Sequence, residues 1–484
     1  PMGPLGWAVV TAVGVGVVVL VLALGLFGRL DAGQKVISGA QPAFTDANVN
    51  GARAGINAIS VAVDTADPIV TEKGGGAAEV PKLVAFVSDK TGLTQAQVLT
   101  ALQKNFPHTT ALLTAAPLSG VTAELPTLVA FLATTLKMSQ ADVASALGKN
   151  FPHLAQAVSN LPKVTAGWDN VPGIDGLTRF DGSPVTATTD VRDYFGADVI
   201  PVVENNRTNF QHLDTWVPRT DSIPWILIVL AIIVILWGAW FLMRALRGTM
   251  KLGESLFGWF IVAAVGLIIG TLLFGFRLFP ALDGGQTMVT QLRPVFDSTR
   301  IEKDTPAISF VSTVVDLLDP ITTEQGGAAQ DVQKLVAFVS DQTGLPPAQV
   351  VAALQQKTPK TAALLTALPL SAVSAELPKL QQFLVDTLKV TPEQLQAALK
   401  ENFPRLAQSI ANLPVLTAAW DKLPGADGFQ RFDGTPITNV TGVRDYFGAD
   451  VIPMLAAQQG NFDKLDVSPS LRFFPWLLLV IAIA

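Results

Sequence analysis

The sequence predicts an all-α membrane protein made of two tandem repeats, each consisting of a span, a helical extracytoplasmic domain and a second span. Three observations lead to this fold class. The 484 residues are 49% hydrophobic and only 15% charged, with a mean hydropathy of +0.42, which is unusual for a soluble chain. Long uncharged stretches alternate with two long polar segments, and sequence motifs recur 252 residues apart.

Three stretches are long and apolar enough to cross a bilayer, namely 8–28, 224–243 and 256–276, and none contains Asp, Glu, Lys, Arg or His. A spanning helix needs about 20 such residues, because an unsatisfied backbone polar group is costly in hydrocarbon. The stretch 475–484 (PWLLLVIAIA) has about half that length. We therefore expect four transmembrane helices, the last of them truncated, and we expect residues to be missing at both ends of the chain.

The short loop 244–255 indicates the orientation, since it carries Arg244, Arg247 and Lys251 against Glu254 alone. Short loops rich in Lys and Arg stay in the cytoplasm. The loop and both termini are therefore expected inside, and 29–223 and 277–474 outside. Tryptophans, which favour membrane interfaces, are expected near the inner interface at Trp7, Trp237, Trp240 and Trp259, and near the outer one at Trp225 and Trp476. Richness in Ala, Val and Leu with few lysines is typical of exported proteins of high-GC bacteria, so we expect a bacterial plasma membrane.

The duplication is most evident in the motif VRDYFGADVIP, which occupies 191–201 and again 443–453. The same offset of 252 pairs Gly6-Trp7 with Gly258-Trp259. Self-similarity at a fixed period is the sequence signature of repeated structure. We call the part before the loop 244–255 the first half and the part after it the second half.

A second period of 45 residues lies inside each extracytoplasmic segment, where LVAF and NFPH both recur. It defines four helical repeats, at 81–117, 126–162, 333–369 and 378–414. Each is expected to contain an apolar helix of about ten residues, a capped helix and a Pro-started helix. The capped helices begin at Thr94, Ser139 and Thr391, each with a partner side chain three residues on, which is the pattern of a capping box.

The segments around these repeats also favour helix. An apolar stripe at Ala52, Ile56, Ile59 and Val63 could continue the first membrane helix outward. A return helix is expected over 189–204 with an interruption at Pro201, and the Asp-Gly pairs of 173–184 indicate turns.

Composition argues against catalysis and cofactor binding. The chain has no cysteine and three histidines, and a net charge of −6 gives no footprint for nucleic acid. His108 and His153 are replaced by Lys360 and Arg405 at equivalent positions, so a solvated basic side chain is expected there and not a general base. No phosphate-binding loop, nucleophile elbow or HExxH helix is present. We expect no catalytic residue, no cofactor and no enzyme.

Six aspartates are weak candidates for calcium ligands. Aspartates on a Gly-rich segment supply the oxygen ligands that calcium prefers, and the weak candidates are Asp169, Asp175 and Asp181 with their counterparts Asp421, Asp427 and Asp433. Their spacing of six departs from the EF-hand pattern, and Asx-turns within a long connection explain the same residues.

The only two tyrosines lie at equivalent places in the VRDYFGAD motif. The candidate interaction residues are Arg192, Asp193, Tyr194, Arg444, Asp445 and Tyr446. A docking face for a partner or for lipid headgroups is one interpretation, and a local motif of ion pairs and packing is the favoured alternative. Trp168 and Trp420 are expected to be core anchors.

The predicted spans lack the ionisable residues of ion-coupled carriers. They do carry small residues at helical spacing, which let helices approach closely. The helix-packing candidates are Ala8, Ala12 and Gly16 in the first span, and Gly266 and Gly270 in the third.

The leading hypothesis is a non-enzymatic envelope protein, a scaffold or accessory subunit of a membrane assembly acting through its duplicated ectodomains. Its expected partners are membrane lipid and other membrane or envelope proteins, or a second copy. The alternative is binding or conducting a lipid or another apolar ligand, and a third possibility is an extracytoplasmic sensor. The halves have diverged, with Phe106 replaced by Thr358, and we expect this difference at the surface of the repeats.

Overall fold

The computed structural model describes residues 3–216, 219–249, 252–275, 277–467 and 470–483. It is 82% helical, and the described residues form two isolated β-bridges but no strand. The all-α prediction is confirmed. Lys251 of the predicted loop, Phe276 at the end of the predicted third span and Ala484 lie outside the described residues.

The helices of the first half are α1 (Pro4–Ala23), α2 (Leu26–Ala40), α3 (Asp46–Val70), α4 (Gly76–Thr91), α5 (Gln95–Asn105), α6 (Pro107–Ala115), α7 (Leu118–Leu136), α8 (Gln140–Asn150), α9 (Pro152–Gly167), α10 (Thr188–Asp193), α11 (Ile200–Asp214) and α12 (Ile223–Leu246). Those of the second half are α13 (Leu252–Gly270), α14 (Leu278–Leu292), α15 (Ser298–Thr322), α16 (Ala328–Thr343), α17 (Pro347–Lys357), α18 (Pro359–Ala367), α19 (Leu370–Leu388), α20 (Pro392–Asn402), α21 (Pro404–Trp420), α22 (Val440–Asp445), α23 (Ile452–Leu465) and α24 (Phe474–Ile483). Short π-helices follow α10, α13 and α22.

Several helices are long and apolar enough to span a membrane. In the described residues they are Pro4–Ala23, Thr220–Leu246, Leu256–Gly275 and also Leu118–Leu136, while α24 is apolar but shorter. Three of them correspond to predicted spans. The first ends at Ala23 and not at Gly28, because Gly25 adopts a left-handed conformation with φ of 60° and the chain starts a new helix, α2.

The chain divides into two compact units. Unit 1 comprises Pro1–Val49, Pro201–Ile301 and Val451–Ala484, and unit 2 comprises Asn50–Ile200 and Glu302–Asp450. In unit 1, α1 packs along α12 and α13 packs against α24. Side chains of these helices form one apolar core in which Val21, Leu227 and Leu478 are fully buried.

Unit 2 contains the predicted apolar stripe of Ala52, Ile56, Ile59 and Val63, which is buried. The expectation that this stripe continues the first membrane helix is wrong, since α2 and a 3-10 turn at Gln41–Phe44 separate α1 from α3. The return segment is helical as predicted, and a π-helix at Tyr194–Val199 precedes Pro201. The predicted turns at 173–184 are present, with φ of 84° at Gly176 and 90° at Gly182.

Each helical repeat contains three helices, as predicted, but its first helix is longer than expected. It has 16 residues in α4 and 19 in α7, and it includes Pro81 and Pro126 in its interior. Proline usually marks a helix start because it lacks a backbone donor. The start of the first helix was therefore predicted too late in the chain. Burial of Val121 and Leu125, which precede Pro126, keeps this first stretch of α7 helical.

Helix α7 is as long and as apolar as the candidate spans, yet one of its faces packs into the core of unit 2. Its side chains Leu125, Leu128 and Leu132 form a core cluster with Phe151 and Leu335. The capped helices begin as predicted, and Thr94 and Thr391 form complete capping boxes.

Candidate functional site: the contact between the two halves in unit 2

Four acidic side chains join the two halves within unit 2. The Pro-started helices α6, α9, α18 and α21 each begin with backbone N–H groups that have no partner inside the helix. In α9, the carboxylate of Asp331 accepts the N–H groups of His153 at 2.9 Å and Leu154 at 3.2 Å. Asp331 is 2% exposed, so these bonds satisfy a buried charge from the other half.

The same contact recurs at α21. The buried carboxylate of Glu79 accepts the N–H groups of Leu406 at 2.9 Å and Arg405 at 3.3 Å. Glu79 lies 252 residues before Asp331, and the helix starts they cap are separated by the same offset. A negative charge at a helix N-terminus also interacts favourably with the helix dipole.

In the remaining two caps the carboxylate also accepts a hydrogen bond from a threonine hydroxyl. Glu124 accepts the N–H of Thr361 at 2.8 Å and its hydroxyl at 3.0 Å. Glu376 accepts the N–H and the hydroxyl of Thr109, both at 2.8 Å. Each of these acids lies two residues before the bounds predicted for its repeat, within the longer first helix that the structure shows for that repeat. The capping is therefore reciprocal: the first repeat pairs with the fourth, and the second pairs with the third.

Aromatic rings lie beside three of these four caps. The edge-to-face pairs, which are favourable for aromatic rings, are Phe86 with Phe403 at 5.8 Å, Phe106 with Phe383 at 5.5 Å and Phe151 with Phe338 at 6.0 Å between centroids. At the fourth place Thr358 replaces the phenylalanine and is fully buried, donating its hydroxyl to the carbonyl of Leu354. The expectation that this divergence lies at the surface is wrong.

The basic residues at the second position of the Pro-started helices also contact the other half. Nδ1 of His108 lies 2.8 Å from the carbonyl oxygen of Thr366, and Nζ of Lys360 donates to the carbonyl of Ala116 at 3.4 Å. His153 Nδ1 lies 3.3 Å from Asp331. These side chains thus contact the opposite half. The sequence analysis expected them to be exposed to solvent without such contacts.

The VRDYFGAD motif lies in α10 and the π-helix after it, and its counterpart in α22 and the π-helix that follows. Both tyrosines are buried, with Tyr194 at 0% and Tyr446 at 1% exposure. Their rings therefore pack inside unit 2 and are inaccessible to a partner, which corrects the docking interpretation for Tyr194 and Tyr446. Burial, together with the negative charge of Asp450, raises the pKa of Tyr446.

The charged residues of the motif form ion pairs within unit 2. Arg192 pairs with Asp64 and with the adjacent Asp193, and Arg444 pairs in the same way with Asp316 and Asp445. Burial raises the pKa of Asp64, and the charge of Arg192 opposes that rise. Arg192 and Arg444, one from each half, line the same small cavity of about 20 Å³. The two copies of the motif thus come together at the contact between the halves.

A guanidinium–carboxylate fork holds the turn segment to the π-helix. Arg179 donates from Nε and from a terminal nitrogen to the two oxygens of Asp198, at 3.0 and 2.9 Å. Arg431 and Asp450 make the same fork at 2.6 and 2.8 Å. The hydrogen bond with its carboxylate raises the pKa of each arginine.

The structure does not assemble a calcium site from the six aspartates. Asp181 accepts the N–H and hydroxyl of Ser183, and Asp433 accepts the N–H of Thr435. These bonds lower the pKa of both aspartates and are the Asx-turns of the alternative interpretation. No three His, Asp or Glu side chains converge on a metal position anywhere in the described ranges. The structure thus does not bring Asp169, Asp175, Asp421 and Asp427 into such a group.

Trp168 and Trp420 are core residues, as predicted, each 1% exposed. Their ring N–H groups donate to Asp67 at 2.9 Å and Asp319 at 3.0 Å. Near Trp168 lies an apolar cavity of about 60 Å³ lined by side chains of both halves, among them Leu161, Leu317 and Leu365. It is less than half the roughly 150 Å³ of a cavity that admits benzene.

The helix-packing candidates lie in unit 1, and the structure supports only one of them. Ala8, Ala12 and Gly16 are on the exposed face of α1, and a side chain added at Gly16 or Gly270 would meet no heavy atom within 4 Å. Gly266 does face α24, because a Cβ added there would lie 3.4 Å from the carbonyl oxygen of Ala482.

The close contact between α1 and α12 is made by other glycines. A Cβ added at Gly14 would lie 2.8 Å from Ile235, and one added at Gly238 would lie 2.6 Å from Thr11. Composition alone does not show which face of an apolar helix packs against its neighbour, and this explains the error. Trp7, expected at the inner interface, is fully buried and stacks on Phe241 at 4.7 Å.

Sequence reasoning missed the residues that carry the contact between the halves, Glu79, Glu124, Asp331 and Glu376. A signal was available, because these four acids are separated by the offsets of 45 and 252 that define the repeats. An acidic residue retained at an equivalent place in every repeat indicates a shared role.

Comparison of the chain with models of protein families, with curated proteins and with solved structures finds no match.

Proposed function

We propose that this chain is a non-enzymatic membrane protein whose two halves, related by duplication, form one rigid extracytoplasmic head that acts as a scaffold or accessory subunit of a membrane assembly. The observation that carries the proposal is the reciprocal capping of helices across the halves. Each half supplies carboxylates that complete helices of the other, so neither half of the head is complete alone. Such a head is suited to presenting a fixed surface to a partner.

The offset of 252 residues supports the duplication. Contacts recur at this offset in the caps, in the Arg179–Asp198 fork and in the bond from Trp168 to Asp67. The positive charge of the loop 244–255 supports a cytoplasmic location for the loop and an extracytoplasmic location for the head, and the composition supports a bacterial plasma membrane.

The cavities of unit 2 favour a scaffold over a conduit for lipid. The cavity beside Arg192 and the cavity beside Trp168 have volumes of about 20 and 60 Å³, which is too little for an acyl chain. A route for lipid through the head would require the core around Trp168 to open.

Exposed apolar side chains of unit 2 are the natural points of contact with a partner. Among the described residues of unit 2 the large exposed ones are Leu93, Leu99, Leu345 and Val415. Leu93 and Leu345 are 252 residues apart, each 39% exposed, and each follows the first helix of its repeat. A partner protein or a second copy would bury these side chains.

Photo-crosslinking in native membranes tests the proposal. A photoreactive amino acid is placed at Leu93 or Leu345, and the matched control places it at Val19, an exposed position on α1. We expect discrete protein adducts from the two head positions and a different pattern from the control. The proposal fails if neither head position yields a protein adduct and the detergent-solubilised protein is a monomer by light scattering.

A further inference from the structure

Unit 1 contains a pair of helices locked together by one buried arginine. Helix α2 packs along α23, and Arg29 of α2 is 7% exposed. Its guanidinium donates to the carbonyl oxygens of Val467 at 2.7 Å and Leu465 at 3.3 Å. The last carbonyls of a helix lack partners within it and attract cations, so Arg29 satisfies the end of α23.

The corresponding place in the other half has no arginine. The segments GLFGRLDAGQ (25–34) and RLFPALDGGQ (277–286) align at the offset of 252, which puts Ala281 where the first half has Arg29. The carbonyl-bearing residues Leu465 and Val467 correspond to Leu213 and Thr215 at the end of α11. Leu213, Thr215 and Ala281 all line a cleft of about 460 Å³. The cleft therefore lies beside α11 and α14 at the place that corresponds to the Arg29 side chain between α2 and α23. We call α2 and α23 the closed pair.

The rim of this cleft carries a positive charge of its own. Arg277 lines it, is exposed, and adopts a left-handed conformation with φ of 54°. The equivalent residue is Gly25, which adopts φ of 60° without the strain that a side chain imposes there. The arginine thus places a guanidinium beside the cleft despite a backbone conformation that favours glycine.

The cleft also lies next to the ends of two apolar helices. Trp216 lines it four residues before Thr220, where one membrane-length helix begins, and Gly275 lines it at the end of another. Lipid headgroups are found at this level of a membrane protein, and aromatic side chains favour it.

We propose that this cleft binds the headgroup of a phospholipid with a primary amine, such as phosphatidylethanolamine. The ammonium group donates to the end of α11, in the place that the guanidinium of Arg29 takes at the end of α23. The phosphate lies against Arg277. This inference rests on insertion of the chain in a membrane and is independent of the scaffold role.

Native mass spectrometry of the purified protein tests the inference. The protein in detergent is titrated with phosphatidylethanolamine, phosphatidylcholine or phosphatidylglycerol of the same acyl composition. We expect at least tenfold stronger retention of phosphatidylethanolamine, because the quaternary ammonium of phosphatidylcholine has no hydrogen to donate and phosphatidylglycerol has no cation. Water-soluble phosphoethanolamine serves as a competitor and distinguishes recognition of the headgroup from binding of the acyl chains.

Two substitutions provide matched variants. Ala281→Arg introduces the guanidinium that the closed pair contains, and it is expected to abolish the selective retention. Arg29→Ala opens the equivalent place beside α23 and is expected to raise the stoichiometry from one selectively bound lipid to two. Arg277→Ala is expected to weaken retention of all three lipids and provides a separate readout if Ala281→Arg does not fold. Equal retention of the three lipids by the wild-type protein, or unchanged selectivity in folded Ala281→Arg, would overturn the inference.

Discussion

The buried carboxylate of Asp331 accepts the backbone N–H of His153 at 2.9 Å, although 178 residues separate the two in the chain. This contact places an acid from the third repeat at the start of a helix in the second. Glu124 of the second repeat returns the contact by capping α18 of the third. Two reciprocal pairs of repeats give unit 2 a core that is shared by both halves.

Replacing a capping carboxylate should destabilise unit 2. In Glu124→Ala the N–H groups of Lys360 and Thr361 and the hydroxyl of Thr361 lose their common acceptor. The expected loss is about 1 to 2 kcal/mol of unfolding free energy, the usual cost of losing a helix N-cap. Chemical denaturation in detergent, followed by circular dichroism, measures it.

The control is Glu401→Ala, which removes an exposed acid of α20 and should change stability by less than about 0.5 kcal/mol. Glu376→Ala removes the counterpart of Glu124 and should cost a similar amount. Equal stability of Glu124→Ala and Glu401→Ala would contradict the role of these caps.

Enlarging Gly14 should separate α1 from α12. In Gly14→Leu the new side chain meets Ile235 and the carbonyl oxygen of Ala231, within 2.8 and 3.1 Å of the added Cβ. We expect a loss of about 1 to 3 kcal/mol from overpacking, whereas Gly16→Leu on the open face should be tolerated.

Disulfide cross-linking provides the measurement for Gly14→Leu. The chain has no cysteine of its own, so a pair introduced at Thr11 and Gly238 reports directly on the α1–α12 contact. The Gly14→Leu variant should form this disulfide more slowly than Gly16→Leu. Identical rates would show that Gly14 does not set the approach of the two helices.

The fork between Arg179 and Asp198 should require arginine. Lysine carries the same charge but cannot reach both carboxylate oxygens with a planar pair of donors. We expect Arg179→Lys to lower the unfolding free energy by about 0.5 to 1 kcal/mol, because the pair is partly exposed and water screens it. A double-mutant cycle with Asp198→Asn measures the coupling, and a coupling energy of zero would contradict it.

Tyr446 should resist ionisation while the protein is folded. Desolvation by burial is the main cause of its raised pKa, followed by the charge of Asp450. Since the neutral form is favoured only in the folded state, this group's contribution to stability is complete below pH 10 and is lost as pH rises through the folded pKa.

Tyrosinate absorbance at 295 nm measures this effect. The Tyr194→Phe variant isolates Tyr446, because the chain has only two tyrosines. No absorbance change is expected between pH 10 and 11 in the folded protein, and a rise is expected when denaturant is added. A midpoint near pH 10 in the folded state would contradict the assigned burial.

Features that depend on residues close together in the chain could be predicted from the sequence. Thr94 and Thr391 were recognisable as helix caps because a capping box lies within four residues, and the turn at Gly182 followed from an Asp-Gly pair. The apolar spans likewise follow from local composition, although the first ends five residues early because Gly25 adopts a left-handed conformation.

The pairing of the repeats depends instead on residues far apart in the chain. The helical pattern of 81–117 is satisfied equally by packing on the adjacent repeat or on a distant one, and the pattern does not distinguish these. The choice is made by contacts such as Glu79 with Leu406, 327 residues apart. The burial of Tyr194 has the same origin, since a motif of Arg, Asp and Tyr is equally compatible with a surface and with a buried contact.

Capping between the two halves has a consequence for folding during synthesis. At a synthesis rate of about 5 to 20 residues per second, roughly 10 to 40 s pass between the emergence of His153 and that of Asp331. During that interval the first turn of α9 has no carboxylate to cap it, and apolar side chains of α7 lack their partners from α16. The newly synthesised first half therefore lacks the contacts that complete its helices and its core until the third repeat has also been synthesised.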